Sequence, residues 1–286
     1  MRAPSNDRPY SWKKLAQHET QAAVNFLLAL ESSCVTACSR FINRTPFDKI
    51  WRLGNDNGDI SALLIYSHST LFPVFDCTGL PPAPHFLHHF PQKLPPHAIQ
   101  GRKEDVELLV RFLKGSGHTT REQNNYELMS LDRAPLTLKK RIPGLTLRRP
   151  VLDDTEAIFH LHAAYEQEEV ISRHRYFNPA SCRLILKHIL TEQQVLVAEL
   201  DGRLVGKINT NAQSFTRSQI GGVYVLPEYR SLGIGSSMTE ALAASLIAGG
   251  KGVTLFARTH NIAACKAYRN VGFTSSAAYR IVYYST

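Results

Sequence analysis

The sequence predicts an α/β protein of two domains, in which helices flank mixed sheets. Three observations support this class. The chain has 286 residues, which is long for one domain and suits two. Hydrophobic residues make up 43% of it, which is enough to build two cores. In both halves, short runs typical of strands alternate with segments whose apolar residues recur at helical spacing.

The first half is predicted to form a smaller domain over residues 1–136. Apolar residues at helical spacing predict a helix over residues 17–40, and an amphipathic pattern predicts a second helix over 102–113. Strand-like runs lie at residues 49–53, 60–66, 70–75 and 126–130. Gly101 stands immediately before the second helix.

Two features of this half raise the question of a metal. Residues 78–98 are rich in histidine, but their many prolines favour an exposed loop or lid. Cys34 and Cys38 lie four apart in the first helix, yet neither a second pair nor a nearby histidine completes a zinc site. We therefore predict that the protein binds no metal.

The cysteines and the N-terminus indicate a location for the protein. Five scattered cysteines, an odd number, suit reduced thiols in the cytoplasm. The N-terminus lacks an apolar signal region, and no apolar run approaches the ~20 residues that a membrane helix needs. We expect a cytoplasmic protein without a membrane partner.

The second half is predicted to fold over residues 145–286, after a linker over 137–144. Asp153, followed by Glu156, signals a helix start, and a second helix is expected over residues 181–190. Asp201-Gly202 predicts a two-residue hairpin turn. Gly221-Gly222 would weaken a strand, which indicates a bulge or the close approach of a ligand. Strand-like runs lie at residues 145–151, 195–199, 204–208, 220–225, 253–257 and 277–284.

One stretch of this half has the composition of an anion site. A β-branched strand ends before Pro227, and a glycine-rich loop then leads into a helix. Gly233 and Gly235 let the backbone approach a ligand closely. The amides of residues 231–236 would point outward at the positive end of the helix, which is typical of a phosphate site. Arg230 adds a forked cationic donor.

The order of this stretch distinguishes it from other phosphate loops. It contains neither the dinucleotide fingerprint nor a P-loop. It resembles the acetyl-CoA motif of the GNAT superfamily of N-acetyltransferases, whose fixed positions are met by Val225, Pro227, Arg230, Gly233 and Gly235. The segment at residues 261–273 is similar to a second motif of that family, Asn-x-x-Ala-x-x-x-Tyr-x-x-x-Gly-Phe.

The resemblance implies a fold for each half. Residues 145–286 would form a GNAT domain with a central, mostly antiparallel sheet flanked by helices. The first half is similar in element order to a GNAT core but lacks the acetyl-CoA signature. It resembles the degenerate N-terminal domain of tandem-GNAT proteins, and it would wall off the acceptor pocket.

The resemblance also implies site residues. Acetyl-CoA would be bound by backbone and side-chain groups of Val223, Tyr224, Val225, Arg230, Ser231, Leu232, Gly233, Ile234, Gly235, Ser236 and Asn261. The strand amides near Val223 and Val225 would hold the thioester carbonyl and stabilise the oxyanion. Tyr268 matches the family's tyrosine acid, which protonates the leaving thiolate; packing against the ligand without proton transfer is the alternative.

The activity implied is direct, metal-free transfer of an acetyl group from acetyl-CoA to a primary amine of a small molecule or a protein. Two alternatives are a longer acyl-CoA donor and a non-catalytic acyl-CoA-binding regulatory protein. The general base is not identified, because Gln219 and Phe256 occupy the positions of glutamates found in some family members. Residues that could act through a water are Glu166, Glu168, Glu169 and His174, for which solvated surface charge is the other interpretation.

The charge of the chain bears on its partners. The net charge of +9 is spread over both halves, which suits the polyanionic acetyl-CoA. Nucleic-acid binding is disfavoured, because no aromatic-basic interleaving or known motif is present. The most basic stretch, around Lys139, Lys140 and Arg141, is either a solvated linker or a guide for an acidic acceptor. Neither the amine acceptor nor the oligomeric state follows from the sequence.

Overall fold

The computed structural model describes residues 11–54, 59–76, 96–114, 119–134, 142–171 and 176–284. Contacts divide the chain into two compact units. The N-unit extends to Asn125 and includes the chain from Ala277 onward, and the C-unit is Tyr126–Ser276. Most of the segment rich in proline and histidine lies outside the described residues, as do Cys77, His174 and the basic residues 139–141.

Among its described residues, the N-unit contains a mixed sheet and two α-helices. Its elements are β1 (Ser11–Lys14), α1 (Thr20–Ile42), β2 (Lys49–Gly54), β3 (Ile60–Ser67), β4 (Thr70–Phe75), β5 (Ala98–Arg102), α2 (Lys103–Lys114) and the end of β12 (Thr274–Tyr284). The strand order is β1-β2-β3-β4-β5-β12, and only β4 and β5 are parallel. All the elements predicted for residues 17–113 outside the proline-rich segment are present, within a few residues at their ends.

Helix α1 packs against the sheet of the N-unit. Eight of its residues are buried, including Glu31 and Phe41. Its Cys34 and Cys38 are free, with their sulfurs 3.6 Å apart. Contrary to the expectation from the sequence, the helical stretch Gln17–Ile42 is long and apolar enough to cross a membrane, by length and composition. A core helix of a soluble protein passes the same test.

The C-unit contains a six-stranded sheet with helices on both faces. Its elements are β6 (Thr120–Leu131, from Tyr126), β7 (Leu145–Arg148), α3 (Thr155–Tyr165), a π-helical turn (Glu166–Val170), α4 (Pro179–Glu192), β8 (Val195–Leu200), β9 (Arg203–Gln213), β10 (Arg217–Val225), α5 (Ile234–Ala248), β11 (Gly252–Arg258) and α6 (Ile262–Val271). The order is β6-β11-β10-β9-β8-β7, and only β10 and β11 are parallel.

Alternate strand residues of the C-unit point to opposite faces of the sheet. Ala198 joins a core with α5 and α6, whereas its neighbour Val197 packs with α3 and α4. The turn between β8 and β9 has positive φ at both Asp201 (49°) and Gly202 (80°), as a tight hairpin requires. The predicted hairpin is therefore confirmed.

Helix α3 starts within two residues of the predicted Asp153, after a 3-10 turn over Leu152–Asp154. The helix begins at Thr155, and Asp154 rather than Asp153 is the residue held in place. Its carboxylate accepts hydrogen bonds from Arg148 at 2.6 and 2.9 Å and from the Val151 amide at 2.7 Å. The predicted helix start is therefore present, and the ion pair of Asp154 with β7 fixes this corner.

Strands β6 and β12 each contribute residues to both units. Residues 126–131 of β6 pair with β11 in the C-unit, whereas residues 279–283 of β12 pair with β5 in the N-unit. The N-unit is thus discontinuous in sequence, because the end of β12 pairs with β5, whereas the C-unit is one continuous segment. The domain boundaries predicted from the sequence, with one domain ending at residue 136 and the other beginning at residue 145, remain a prediction.

Candidate functional site

The two parallel strands of the C-unit separate before they end. Strands β10 and β11 pair only over residues 217–220 and 252–255, although β10 continues to Val225 and β11 to Arg258. Beyond the last pair, the facing backbone groups of the two strands do not bond to each other. In open α/β sheets, ligands bind at the carboxyl ends of the strands. This opening is therefore the candidate site.

Strand β10 carries the predicted bulge at this opening. In β9, Asn209 lies opposite Gly221 and Lys207 lies opposite Tyr224. Two residues of β10, Gly222 and Val223, therefore lie opposite a single residue of β9, which is a β-bulge. Gly222 has φ = +58°, and a Cβ there would lie 2.0 Å from the Asn209 Oδ1 atom. Neither described neighbouring strand pairs with Val223, so its N–H group takes no part in the ladders of β9 and β11.

The predicted anion loop follows β10 directly. Ser231 and Gly233 have positive φ values of 65° and 93°, and Gly233 caps α5. The first helical backbone bond runs from the Ser237 amide to the Gly233 carbonyl at 3.0 Å, so the amides of residues 234–236 face the helix end without an intrahelical acceptor. The helix and its amides form an electropositive end.

The side chains of the loop differ in their exposure. Ser231 and Leu232 are exposed, whereas Ile234 and Ser236 are buried and offer a ligand mainly their backbone. A Cβ on Gly235 would meet only Val225 Cγ2 at 3.9 Å, which is ordinary contact. The space in front of the loop is therefore open at this glycine.

Arg230 is anchored at the mouth of the opening. Its Nε donates to the Val225 carbonyl at 3.0 Å, and its guanidinium lies over the ring of Tyr224. The Glu168 carboxylate accepts from Arg230 at 2.7 Å and from the Tyr224 hydroxyl at 2.6 Å. Burial raises the pKa of Glu168, but these two hydrogen bonds outweigh it and lower the pKa overall. Glu168 is therefore a weak base.

The π-helical turn is bound to the ends of β10 and β11 through Glu168 and Glu169. Besides Glu168, Glu169 accepts at its backbone carbonyl from Arg258 at 2.5 Å, and its carboxylate lies 3.4 Å from the Arg258 Nε atom. Glu166 points inward, 3.8 Å from the His162 ring. Glu166 is largely buried, whereas Glu168 and Glu169 are partly exposed but paired with arginines. π-Helical turns occur often at functional sites.

A buried lysine lies beneath the bulge. The Lys207 side chain is 1% exposed, and its Nζ donates to the Gly222 carbonyl at 2.9 Å and to Asn209 Oδ1 at 3.0 Å. The ammonium also stands 4.7 Å from the ring centroid of Tyr165. Burial lowers the pKa of Lys207 to about 7, against the attraction of Glu166. This residue was missed from the sequence, where a lysine in a strand gives no sign of burial.

The remaining predicted residues lie on or near α6. Tyr268 is buried against Phe273, and burial, followed by the neighbouring Tyr165 and Glu169, raises its pKa. Its hydroxyl therefore stays protonated at neutral pH. Asn261 caps α6, since its Oδ1 accepts from the Ala264 amide at 3.0 Å. Its Nδ2 group remains a donor of the kind expected to contact a ligand.

Neither residue at the glutamate positions can take up a proton. Gln219 is buried in the sheet, where its Nε2 donates to Asn211 Oδ1 at 2.9 Å. The ring of Phe256 packs edge-on against Tyr126 at 5.4 Å. Among the described residues, no group of three or more His, Cys, Asp or Glu could hold a metal ion.

The buried His162 predicts that the protein loses stability at acid pH. Burial and then repulsion from Lys207 lower its pKa from 6.5 to about 4. The unfolded chain therefore binds this proton first, and stability is lost as the pH falls from about 6.5 to about 4. Between pH 7 and pH 4.5, His162→Leu is expected to lose about 2–3 kcal/mol less unfolding free energy than the wild type. Urea unfolding at the two pH values measures this difference. An equal loss of unfolding free energy in the wild type and the variant would show that other groups cause the loss of stability at acid pH.

The comparisons with known proteins fit this geometry. The acetyltransferase (GNAT) family model matches residues 155–273, from the start of α3 to the residues just after α6. This range contains both segments on which the resemblance rested. No curated protein matches the sequence significantly.

Solved structures share the fold of nearly the whole chain. A Drosophila protein matches with a TM-score of 0.70 at 10% identity, covering 96% of this chain and 99% of its own. A GCN5-related N-acetyltransferase from Sphaerobacter thermophilus matches at 0.60 and 14% identity, covering 96% and 94%. A tandem GNAT protein from the clavulanic acid biosynthesis pathway matches at 0.58 and 12%, covering 96% and 97%. These likenesses confirm the predicted fold class and the resemblance to tandem proteins.

Proposed function

Residues 155–273 of this chain are a domain of the GNAT acetyltransferase family, and from this premise we propose an acetyl-CoA-dependent N-acetyltransferase. The enzyme would transfer the acetyl group directly to a primary amine of a small molecule or a protein. The observation that carries the proposal is the Val223 amide, which pairs with neither β9 nor β11 and lies on the strand that leads straight into the anion loop.

Acetyl-CoA suits the groups around this opening. The amides of residues 231–236 and the positive end of α5 favour its pyrophosphate. Arg230 would add a fixed charge, and Asn261 a side-chain donor. Residues 223–225 of β10 would lie along the extended arm that links the phosphates to the thioester. The fit to a polyanion also agrees with the net charge of +9.

The chain's own groups would serve three steps of the transfer. Binding both reactants in the opening makes the attack effectively unimolecular. The Val223 N–H would stabilise the negative charge that develops on the carbonyl oxygen. Tyr268 would give a proton to the leaving thiolate.

Deprotonation of the amine is the step with the largest thermodynamic demand. A lysine amine with a pKa near ~10.4 is uphill by ~4.6 kcal/mol at pH 7, whereas an α-amine near ~7.8 is uphill by only ~1. Burial raises the pKa of Glu166, which makes it a better proton acceptor than Glu168. Glu166 is therefore the proposed base, acting through a water.

The proposed partners are acetyl-CoA and an amine acceptor, in the cytoplasm. The four described cysteines are free and buried, which supports a reducing compartment. A longer acyl-CoA and a non-catalytic acyl-CoA-binding role are the alternatives, and the measurement below separates them from the main proposal.

Ligand binding provides the first test. Acetyl-CoA or CoA at a hundred times its dissociation constant is expected to stabilise the protein by ~2.7 kcal/mol in a thermal shift, whereas NAD is not. Gly235→Glu should abolish this shift, because it places a negative charge in front of the loop. Gly235→Gln has nearly the same size without the charge and should retain part of it.

The outcomes separate the three functions. A shift with acetyl-CoA, followed by release of CoA in the presence of amines, supports the acetyltransferase. A larger shift with a longer acyl-CoA would favour that donor, and binding without turnover on any amine would favour the regulatory role. The absence of a shift with every CoA species would overturn the proposal.

A further inference from the structure

The peptide between Gly222 and Val223 has its two polar groups in different surroundings. The carbonyl of Gly222 accepts from the buried Lys207 ammonium at 2.9 Å. The N–H group of the same peptide belongs to Val223, which has no partner in the described ladders of β9 and β11. In a planar trans peptide the C=O and N–H bonds point in opposite directions. Lys207 therefore holds the peptide on its carbonyl side, and the Val223 N–H points away from Lys207.

Further contacts fix the ammonium in this position. Asn209 Oδ1 accepts a second hydrogen bond from Lys207, and the Asn209 amide donates to Gln193 Oε1 at 2.9 Å. The Gly222 N–H, which belongs to the preceding peptide, also donates to the Tyr165 hydroxyl. Because only 1% of Lys207 is exposed, its side chain cannot reach an amine acceptor bound in the opening. Its arrangement suits positioning rather than contact with substrate.

We propose that Lys207 is a positioning residue that orients and polarises the Gly222–Val223 peptide, so that the Val223 N–H becomes a stronger donor to an acyl carbonyl. A cation bound to a peptide oxygen draws electron density from the peptide and strengthens its N–H as a donor, since hydrogen bonds in a chain reinforce one another. The inference rests on the proposed function and adds to it the origin of the donor strength.

The vibration of a bound acyl carbonyl tests this polarisation without any need for turnover. Acetyl-CoA labelled with ¹³C at the carbonyl carbon is bound to the protein, and its C=O band is recorded by difference infrared spectroscopy. In the wild type the band is expected at lower frequency than in free acetyl-CoA. In Lys207→Met it should move back towards the free position, while the dissociation constant of CoA, which has no carbonyl there, changes less than threefold.

Three matched variants accompany this measurement. Glu166→Gln removes the charge next to Lys207 but leaves the bond to Gly222, and its band should stay at the wild-type position. Lys251→Met removes another lysine that donates to a backbone carbonyl, Phe215 at 2.8 Å, and should leave both band and turnover unchanged. The pair Lys207→Met with Glu166→Gln carries the test if the single variant does not fold, because it leaves no unpaired buried charge.

Turnover adds a second readout once an amine acceptor is in hand. Lys207→Met should lower kcat by about tenfold or more with a smaller change in KM for acetyl-CoA, as expected for a transition-state interaction. Bound acetyl-CoA with the same band in wild type and variant would overturn the role of Lys207 alone. A wild-type protein that binds no CoA species would overturn the proposed function together with this inference.

Discussion

Tyr268→Phe is expected to lower kcat by about 10²–10³-fold, with little change in the affinity for acetyl-CoA. The substitution removes one oxygen from a buried ring and leaves its packing against Phe273. A positioned general acid contributes roughly 10²–10⁴-fold, because its proton neutralises the negative charge that develops on the leaving sulfur. Release of CoA with a reactive amine measures kcat, and a thermal shift measures binding.

The matched control is another buried tyrosine. Tyr284→Phe removes a hydroxyl whose pKa burial raises to about 12, in the N-unit rather than the C-unit. It is expected to alter stability but not kcat. Wild-type turnover in Tyr268→Phe would contradict the acid role and leave packing against the ligand, the alternative derived from the sequence. A parallel loss in kcat and in CoA binding would likewise indicate a structural role.

Gly222→Ala is expected to destabilise the protein by about 2–4 kcal/mol and to remove acetyl-CoA turnover. The backbone at Gly222 has φ = +58°, where an L-residue is strained by about 1 kcal/mol. The new Cβ would also overlap the Asn209 Oδ1 atom at 2.0 Å and lie 2.8 Å from Lys207 Nζ. Relief of this overlap must displace the peptide that offers the Val223 amide. Urea unfolding measures the first effect and CoA release the second.

Two variants separate strain from overlap. Gly202→Ala has a similar φ of +80° but nothing within 4 Å of the new Cβ, so only the strain of about 1 kcal/mol is expected. The pair Gly222→Ala with Asn209→Ala should recover part of the stability, because it removes the overlapping atom. Equal destabilisation by Gly222→Ala and Gly202→Ala would show that the space behind the bulge is not restrictive.

The parts of the fold that were predicted well are those encoded locally. The turn at Asp201-Gly202 needs only two residues with positive φ, and the loop after Pro227 needs only its own glycines and the following helix. Such signals are complete within ten or fifteen residues. The end of β7 was placed too late because its termination at Arg148 depends on the ion pair to Asp154 and on Pro150, which lacks an N–H.

The parts of the site that were missed depend on distant partners. Glu168 meets Tyr224 and Arg230 across 56 and 62 positions, and Arg258 meets Glu169 across 89. An acidic run at the end of a helix resembles solvated charge until these partners are placed. Lys207 is a similar case, since only the fold shows that its side chain enters a closed polar pocket.

The division of β6 and β12 between the two units restricts where this gene could be shortened or recombined. A coding segment that begins at codon 145 would lack residues 126–131, which close the edge of β11, and would carry residues 279–283 without β5. Exposed strand edges recruit other chains. A segment over Tyr126–Ser276 would instead keep the strand order of the C-unit, whereas the N-unit would have to be assembled from two separate segments.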